Sequence, residues 1–256
     1  MSAATASPAG PPSPVTVAAF DFDGTLTRGG SVFPFLVAVR GLLPVLAASA
    51  RSFPLLVRAA LVGGSTADRA KETLFTRLLA GQEASRVNRV GVTFAQQHLG
   101  RRLRPEVKAR LDWHRANGHA VVIVSASPEC YVGPVGEELK IDGVLATRLA
   151  TSGGILTGRY EGQNCRGAEK YARVVAWLRA NGLSGNGLPQ PVLWAYGNSR
   201  GDLRLLDAAD HGVDAGRLGR LGRLRHFPTL VSLPDVDGPD PGLAGAGPHP
   251  DTPTPG

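Results

Sequence analysis

Six consecutive residues, Val15 to Phe20, are all apolar or β-branched, and they run directly into Asp21-Phe22-Asp23-Gly24. An apolar run without polar alternation predicts a strand covered on both faces, as in a parallel sheet packed between helices. Successive side chains of an extended chain point to opposite faces. Asp21 and Asp23 are therefore predicted to project together while Phe22 turns into the core. Gly24 then frees the backbone to turn. This puts the acid pair at the carboxyl end of a strand, the edge where open α/β sheets bind ligands. Taken alone, the same residues also read as a polar turn carrying a surface Asp-Gly.

Four further segments read as strands of the same sheet: Ala120 to Val124, Gly143 to Thr147, Pro191 to Tyr196 and the weaker Gly212-Val213. Helical spacing lies between them. Pro105 to Asn117 carries Val107, Leu111 and His114 on one stripe and is closed by Asn117-Gly118. Gly167 to Ala180 carries Tyr171, Val174, Val175 and Leu178, and Asn181-Gly182 stops it. This alternation predicts a parallel α/β sheet. The segment LATSGGILTGRY, from Leu149 to Tyr160, reads as a small β-hairpin turning at Ser152 to Gly154.

Between Thr27 and Arg104 the rhythm breaks, because only helical patterns occur. An inserted α-helical cap, residues 28–104, is expected within a core made of 15–27 and 105–233. Residues 1–14 lack the basic start and apolar middle of a secretory signal, and 234–256 hold hardly any large apolar residues. Both are expected to be disordered, as a lead and a Pro/Gly-rich tail. The first half of the cap, SVFPFLVAVRGLLPVLAASARSFPLLVRAALVGG, is strongly apolar. No charge-free window in it reaches the roughly 20 residues needed to span a bilayer, and Pro44 and Pro54 interrupt it. Arg40, Arg51 and Arg58 are 11 and 7 residues apart, so on one continuous helix they would fall on nearly the same line. Two readings stay open: a helix pair packing its apolar sides together, or a surface making peripheral contact with an anionic membrane.

The net charge of +7 comes from arginines spread along the chain, which favours anionic substrates or surfaces; nothing in it marks a nucleic-acid interface. Cys130 and Cys165 are too few for a disulfide framework or a zinc site and fit a reducing, cytoplasmic setting. The six histidines form no HxxH or HxxxH pair and read as surface or packed residues. Arg217, Arg220 and Arg223 alternate with leucines in RLGRLGRLRHF, which predicts a final helix weakened by glycines. Its basic face reads as solvated, with a contact to anionic lipid or a partner as the other reading.

Three other polar positions fall where a strand hands over to a helix. Ser125 follows VVIV and precedes Ser127-Pro128, a helix start whose free amides can hold an anion. Alone, it also reads as a cap or turn residue. Lys170 stands in the first turn of its helix, where a cation opposes the helix dipole and gains nothing structurally; a solvated lysine is the plainer reading. After VLWAY comes GNSRGD, in which Ser199 and Asp202 have the Ser-x-x-acid spacing of a capping box. Capping is therefore a rival to chemistry for Asp202.

All four elements occur in order, each at the carboxyl end of a strand. With DFDGTLT at Asp21 to Thr27, VSAS at Val124 to Ser127, Lys170 within GAEK and YGNSRGD at Tyr196 to Asp202, the chain resembles the haloacid dehalogenase (HAD) superfamily of aspartate-nucleophile phosphatases. It is especially similar to the phosphoserine-phosphatase-like branch, subfamily IB. The resemblance spans about Thr16 to Val213 and implies a Rossmann-like core with an inserted helical cap. It implies that Asp21 attacks phosphorus to form an aspartyl phosphate, and that Asp23 protonates the leaving oxygen and then deprotonates the hydrolytic water. Ser125 and Lys170 are implied to hold the phosphoryl oxygens, with Lys170 offsetting the charge of the nucleophile. Magnesium (Mg2+) is the implied cofactor, with Asp21, Asp23, Asn198 and Asp202 as the metal-site residues.

Two departures qualify the resemblance. Members of the family commonly have an aspartate directly after the glycine of the last motif, where this chain has Asn198, implying weaker magnesium binding. Phosphoserine phosphatases carry an acid shortly after the first motif to meet the substrate amine, and Arg28 to Phe35, RGGSVFPF, has none. The resemblance also bears on reaction type, because dehalogenases and transport ATPases lack an acid at the position of Asp23, leaving a phosphatase or a phosphomutase. The expected function is magnesium-dependent hydrolysis of a small phosphorylated metabolite. Alternatives are a phosphatidylglycerophosphate-like headgroup phosphatase at a membrane surface and a catalytically inactive anion- or membrane-binding module.

Overall fold

The computed structural model describes residues 14–185, 187–216, 224 and 226–233. The expected tail, the basic run Arg217, Arg220 and Arg223, and all of the expected lead except Pro14 lie outside the described residues.

The core strands are β1 (Thr16–Phe20), β2 (Ala120–Pro128) and β3 (Gly143–Thr147), followed by a hairpin of β4 (Leu149–Ser152) and β5 (Ile155–Tyr160), then β6 (Val192–Gly197) and β7 (His211–Asp214). Five of them form a parallel sheet in the order β3-β2-β1-β6-β7. Alternate residues of each apolar run enter different cores. Ala18 and Phe20 join Val121, Ile123, Trp194 and Tyr196 on one face, while Val17 and Ala19 join Val122, Val124, Leu193 and Ala195 on the other. The first face is covered by α6 (Pro105–Ala116) through Val107 and Leu111 and by α7 (Glu129–Glu138) through Tyr131 and Val135. The second is covered by α8 (Ala168–Ala180) through Val174 and Leu178 and by α9 (Leu203–Ala208) through Leu205 and Leu206. Fully burying one such leucine stabilises the fold by about 1.5–3 kcal/mol.

β1 lies between β2 on one side and β6 on the other, so the strand order reverses beside it. That reversal opens a crevice at the carboxyl ends of these strands. The acid pair sits there, but not within the strand as its spacing predicted. β1 stops at Phe20, and Asp21 to Thr27 form a turn in which Asp21 N–H donates to Tyr196 O and Thr27 N–H folds back on Phe22 O. Gly24 takes a φ of +80°, which an L side chain resists. β2 also runs beyond its expected end, to Pro128, with its register against β3 shifting between Ser125 and Pro128. Ser125 is consequently a strand residue, and no serine side chain caps α7.

On the first face His114 is fully buried, its Nε2 2.8 Å from Tyr196 Oη and its Nδ1 2.8 Å from His119 Nδ1. Burial, together with His119 and Arg110, pushes its pKa down to about 3, which keeps the ring neutral.

Five helices intervene between β1 and α6: α1 (Val32–Arg40), α2 (Leu42–Arg51), α3 (Phe53–Val62), α4 (Gly64–Leu79) and α5 (Ala84–Arg102). The apolar first half is neither one continuous helix nor a helix pair. Its breaks fall at Gly41 and Ser52, and α2 and α3 meet at a bend of 71°. Pro34, Pro44 and Pro54 instead stand in the first turns of α1, α2 and α3, where a missing N–H leaves no helix bond unmade. Arg40, Arg51 and Arg58 accordingly sit on three separate helices. Among the described residues no single helix is long and apolar enough to cross a membrane.

The second half of this helical region meets the rest of the fold at two bare-backbone contacts. A Cβ on Gly91 of α5 would fall 2.2 Å from the Cys130 carbonyl oxygen. One on Gly158 of β5 would fall 2.4 Å from the Cα of Thr76 in α4, whose hydroxyl donates to Gly158 O.

Candidate active site

Lys170 is the third residue of α8 and only 1% exposed. Its ammonium lies 2.6 Å from Asp21 Oδ1 and 2.5 Å from Asp202 Oδ1. A buried cation in a first helical turn is opposed by the helix dipole and by desolvation, and the two carboxylates supply the compensation. The start of α8 is fixed by Gly167 N–H donating to Gly201 O, in the loop that follows β6.

That loop is closed by Asp202. Its Oδ2 accepts from Asn198 N–H at 3.1 Å, Ser199 N–H at 2.9 Å and Ser199 Oγ at 2.8 Å. The Ser-x-x-Asp spacing is thus not a capping box. Asp202 occupies the N-cap position of α9, yet its side chain reaches back into its own loop and makes no cap bond.

One ammonium serves two buried carboxylates. Burial opposes charge on Asp202, but Lys170 and the bonds from Ser199 and Asn198 hold its carboxyl below the usual range. Burial likewise opposes charge on Lys170, and Asp202 and Asp21 outweigh it to keep the ammonium protonated. For Asp21, burial and the Asp202 charge push the pKa up to about 7 against the pull of Lys170. The cluster therefore carries more negative charge than its lysine neutralises, to which Asp23 adds.

A divalent cation that prefers oxygen is complementary to such a site. Among the described residues no three His, Cys, Asp or Glu side chains converge as a ready-made metal cage. Magnesium does not require one, because it is commonly held by one or two carboxylates together with waters and substrate phosphate. The donor set of Asp21, Asp202 and the Asn198 amide fits that pattern.

Asp23 is held by two tethers. Its Oδ1 accepts from Ser31 N–H at 2.8 Å and its Oδ2 from Ser127 Oγ at 2.5 Å. The Ser31 hydroxyl lies 2.7 Å from Tyr131 Oη and 3.3 Å from Ser127 Oγ, so the network joins the entry to α1 with the ends of β2 and α7. Ser125 is 1% exposed, and its Oγ accepts from Ser127 N–H at 3.0 Å. It bonds to no carboxylate of the cluster. Asn198 presses its side chain against Gly24. The structure thus gathers Asp21, Lys170 and Asp202 directly, ties Asp23 to Ser127, and seats Asn198 against Gly24 in the turn that follows Asp21.

Sequence reasoning missed several residues here. Ser127 lies inside the VSAS motif but reads there as a helix-start signal. Arg104 is 4% exposed and donates through Nη1 to Gly24 O at 2.9 Å and Thr25 O at 3.2 Å, and also to Ala215 O. It braces the turn from Asp21 to Thr27 against the end of β7, yet its neighbour Pro105 announces only a helix start. Lys71 of α4 donates to Ala126 O at 2.7 Å and to Asn164 Oδ1 at 2.9 Å, with burial pushing its pKa down to about 8. Nothing in ADRAKETL distinguishes this lysine from a solvated one.

The chain as a whole is similar to known proteins. A family model for haloacid dehalogenase-like hydrolases matches residues 18–207. Protein CicA of Caulobacter vibrioides (strain NA1000 / CB15N) is 33% identical over 196 residues, covering 75% of this chain and 82% of that protein. A probable phosphatase of Mycobacterium tuberculosis (strain ATCC 25618 / H37Rv) is 30% identical over 233 residues, covering 86% of this chain and 78% of that one. Among solved structures, a protein with unknown function from Bordetella pertussis Tohama I aligns with a TM-score of 0.70 at 23% identity, over 85% of this chain and 98% of that one. The phospho-aspartyl intermediate analogue of phosphoserine phosphatase aligns with a TM-score of 0.57 at 17% identity, over 79% and 87% of the two chains. The chain belongs to the haloacid dehalogenase-like hydrolases, and its fold is that of the phosphoserine phosphatases.

Proposed function

We propose that this phosphatase is a magnesium-dependent phosphomonoester hydrolase working through an aspartyl phosphate on Asp21, with a small phosphorylated metabolite as substrate. The observation that carries the reading is the Lys170 ammonium shared by Asp21 and Asp202 at the switch point of the sheet. A nucleophilic carboxylate beside a dianionic phosphate needs local positive charge, and Lys170 supplies part of it.

In this reading an oxygen of Asp21 forms a bond to phosphorus as the ester P–O bond breaks. The leaving oxygen takes a proton from Asp23. Asp23, now a carboxylate, removes a proton from water as that water attacks the phosphorus of the aspartyl phosphate. Inorganic phosphate leaves and Asp21 is restored. The tethers from Ser31 and Ser127 fix the direction in which Asp23 presents its carboxyl. Lys170 and Ser125 bind the phosphoryl oxygens. Asp21, Asp23, Asn198 and Asp202 would hold magnesium, which when bound supplies further positive charge beside the phosphoryl group.

The absence of an acid between Arg28 and Phe35 argues against a substrate amine at that place, and so against phosphoserine. Two free thiols, Cys130 and Cys165, support a reducing cytoplasm as the setting.

The test is hydrolysis of an aryl phosphate with and without magnesium by the wild type and Asp21→Asn. Loss of turnover by on the order of a thousandfold or more in the variant, with an unchanged fold, is expected. Activity within tenfold of wild type, after excluding deamidation, removes Asp21 from its role. No turnover in the wild type with any ester leaves the inactive binding module.

A further inference from the structure

The helices that the catalytic reading does not use carry an unusual surface. On α2, Leu42, Leu43 and Leu46 are exposed, and on α3 Phe53, Val57 and Leu61 recur every four residues on one exposed stripe. Leu43 and Leu61 are each 78% exposed, and α3 buries no side chain at all. A contiguous apolar surface of this kind marks an interaction site rather than ordinary surface.

Charge identifies what it meets. No Asp or Glu occurs from Arg28 to Ala67, whereas Arg40, Arg51 and Arg58 are all exposed there. Arg58 also lines a cavity of about 570 Å3 between α3, α4 and β5, together with Arg69, Arg77 and Arg159. None of these four guanidinium groups makes an ion pair or side-chain hydrogen bond among the described residues. The one carboxylate lining the cavity, Glu72, accepts from Tyr160 N–H. Arg69 and Thr76 lie about half a turn around α4 from Lys71, so the cavity opens on the side of that helix away from the catalytic loops. Four unpaired guanidinium groups around one cavity make a receptor for phosphate oxygens.

We propose that this helical region docks on an anionic bilayer, with the apolar stripes of α2 and α3 entering the headgroup region and the arginine cavity, which flanks α3, taking a lipid phosphate. Together α2 and α3 are long and apolar enough for a span, but the 71° bend fits helices that lie along an interface. The docking is independent of the catalytic reading and of the ester hydrolysed.

The experiment is co-sedimentation of the full chain with phosphatidylcholine vesicles, with and without phosphatidylglycerol, at low and high salt. The wild type is expected to pellet only with the anionic vesicles and to be released as the Debye length falls from about 10 Å at 0.1 M to about 3 Å at 1 M salt. Leu43→Asn combined with Leu61→Asn should abolish pelleting. Arg69→Gln combined with Arg159→Gln should weaken it by roughly tenfold to thirtyfold. Both double variants should keep full aryl phosphatase activity, which shows that they fold. The proposal is overturned if the wild type stays in solution at low salt, if it pellets equally with pure phosphatidylcholine, or if the arginine pair makes no difference. It is also overturned if the leucine variant dissociates a dimer seen by sedimentation velocity, since a second copy would then cover the face.

Discussion

Asn198 lies so close to Gly24 that a Cβ on that glycine would stand 1.9 Å from the Asn198 Nδ2. The turn from Asp21 to Thr27 and the loop after β6 meet there through the Asn198 side chain. Gly24→Ala therefore carries two penalties: a left-handed φ costing about 1–2 kcal/mol, and displacement of Asn198. A lower Tm together with a raised magnesium requirement is expected, read by thermal unfolding and by metal titration of activity. Wild-type values in both would mean the contact carries no weight.

Asn198→Asp adds an anionic oxygen next to a cluster meant for a cation. Half-maximal activity should then be reached at a lower magnesium concentration, because hard anionic donors bind this ion more strongly. The measurement is a metal titration at fixed substrate. An unchanged or raised requirement would show that Asn198 is not a ligand, or that the site is tuned to a neutral one.

Arg104, only 4% exposed, satisfies three backbone carbonyl oxygens through one guanidinium nitrogen. Arg104→Met leaves all three unpaired in a buried setting, at a cost on the order of 3 kcal/mol or more. Urea unfolding should report that loss, and turnover should fall with it because Gly24 and Thr25 belong to the turn that carries Asp21 and Asp23. Arg104→Lys should rescue little, since an ammonium cannot reproduce the planar fork. Full rescue by lysine would show that charge alone matters.

His114 makes the fold sensitive to acid. In the unfolded chain it titrates near its ordinary 6.5, in the folded one near 3. Below 6.5 the unfolded state binds a proton that the folded state refuses. The stabilising contribution of the neutral ring is complete above that pH and is lost as pH falls toward 3, at about 1.4 kcal/mol per unit. Unfolding free energies measured between about pH 7 and pH 5 should drop by roughly 2 kcal/mol from this residue, and His114→Gln should flatten the slope. An equally steep profile in the variant would assign the acid sensitivity to other groups.

The parallel sheet is legible because each of its apolar runs feeds two cores at once, as Val17 and Phe20 do on opposite faces of β1. Lys170 is legible because it occupies a position that helix electrostatics would fill differently; Asp202, whose spacing also fits a capping box, is decided by its bond to Lys170. Ser125 is a different case. Its place within β2 comes from its pairing with Ala146 of β3, just before the register shifts, and no local pattern announces how far that pairing runs. Arg104 is hidden for the same reason, since its acceptors come from residues 24, 25 and 215. Arg40, Arg51 and Arg58 fall on separate helices because the chain breaks at Gly41 and Ser52, whereas the sequence points to Pro44 and Pro54 as the interruptions.

The bare-backbone contacts at Gly91 and Gly158 have a consequence for substrate entry. At those two points the helices meet the rest of the fold main chain to main chain, so tilting them there means parting backbone from backbone, while beside them Phe35 and Phe94 pack on Tyr131. The hairpin and α7 would have to travel with them. A larger residue at either glycine should therefore prise the helices away from the core and alter how a substrate enters the crevice, even where it leaves every group in the crevice untouched.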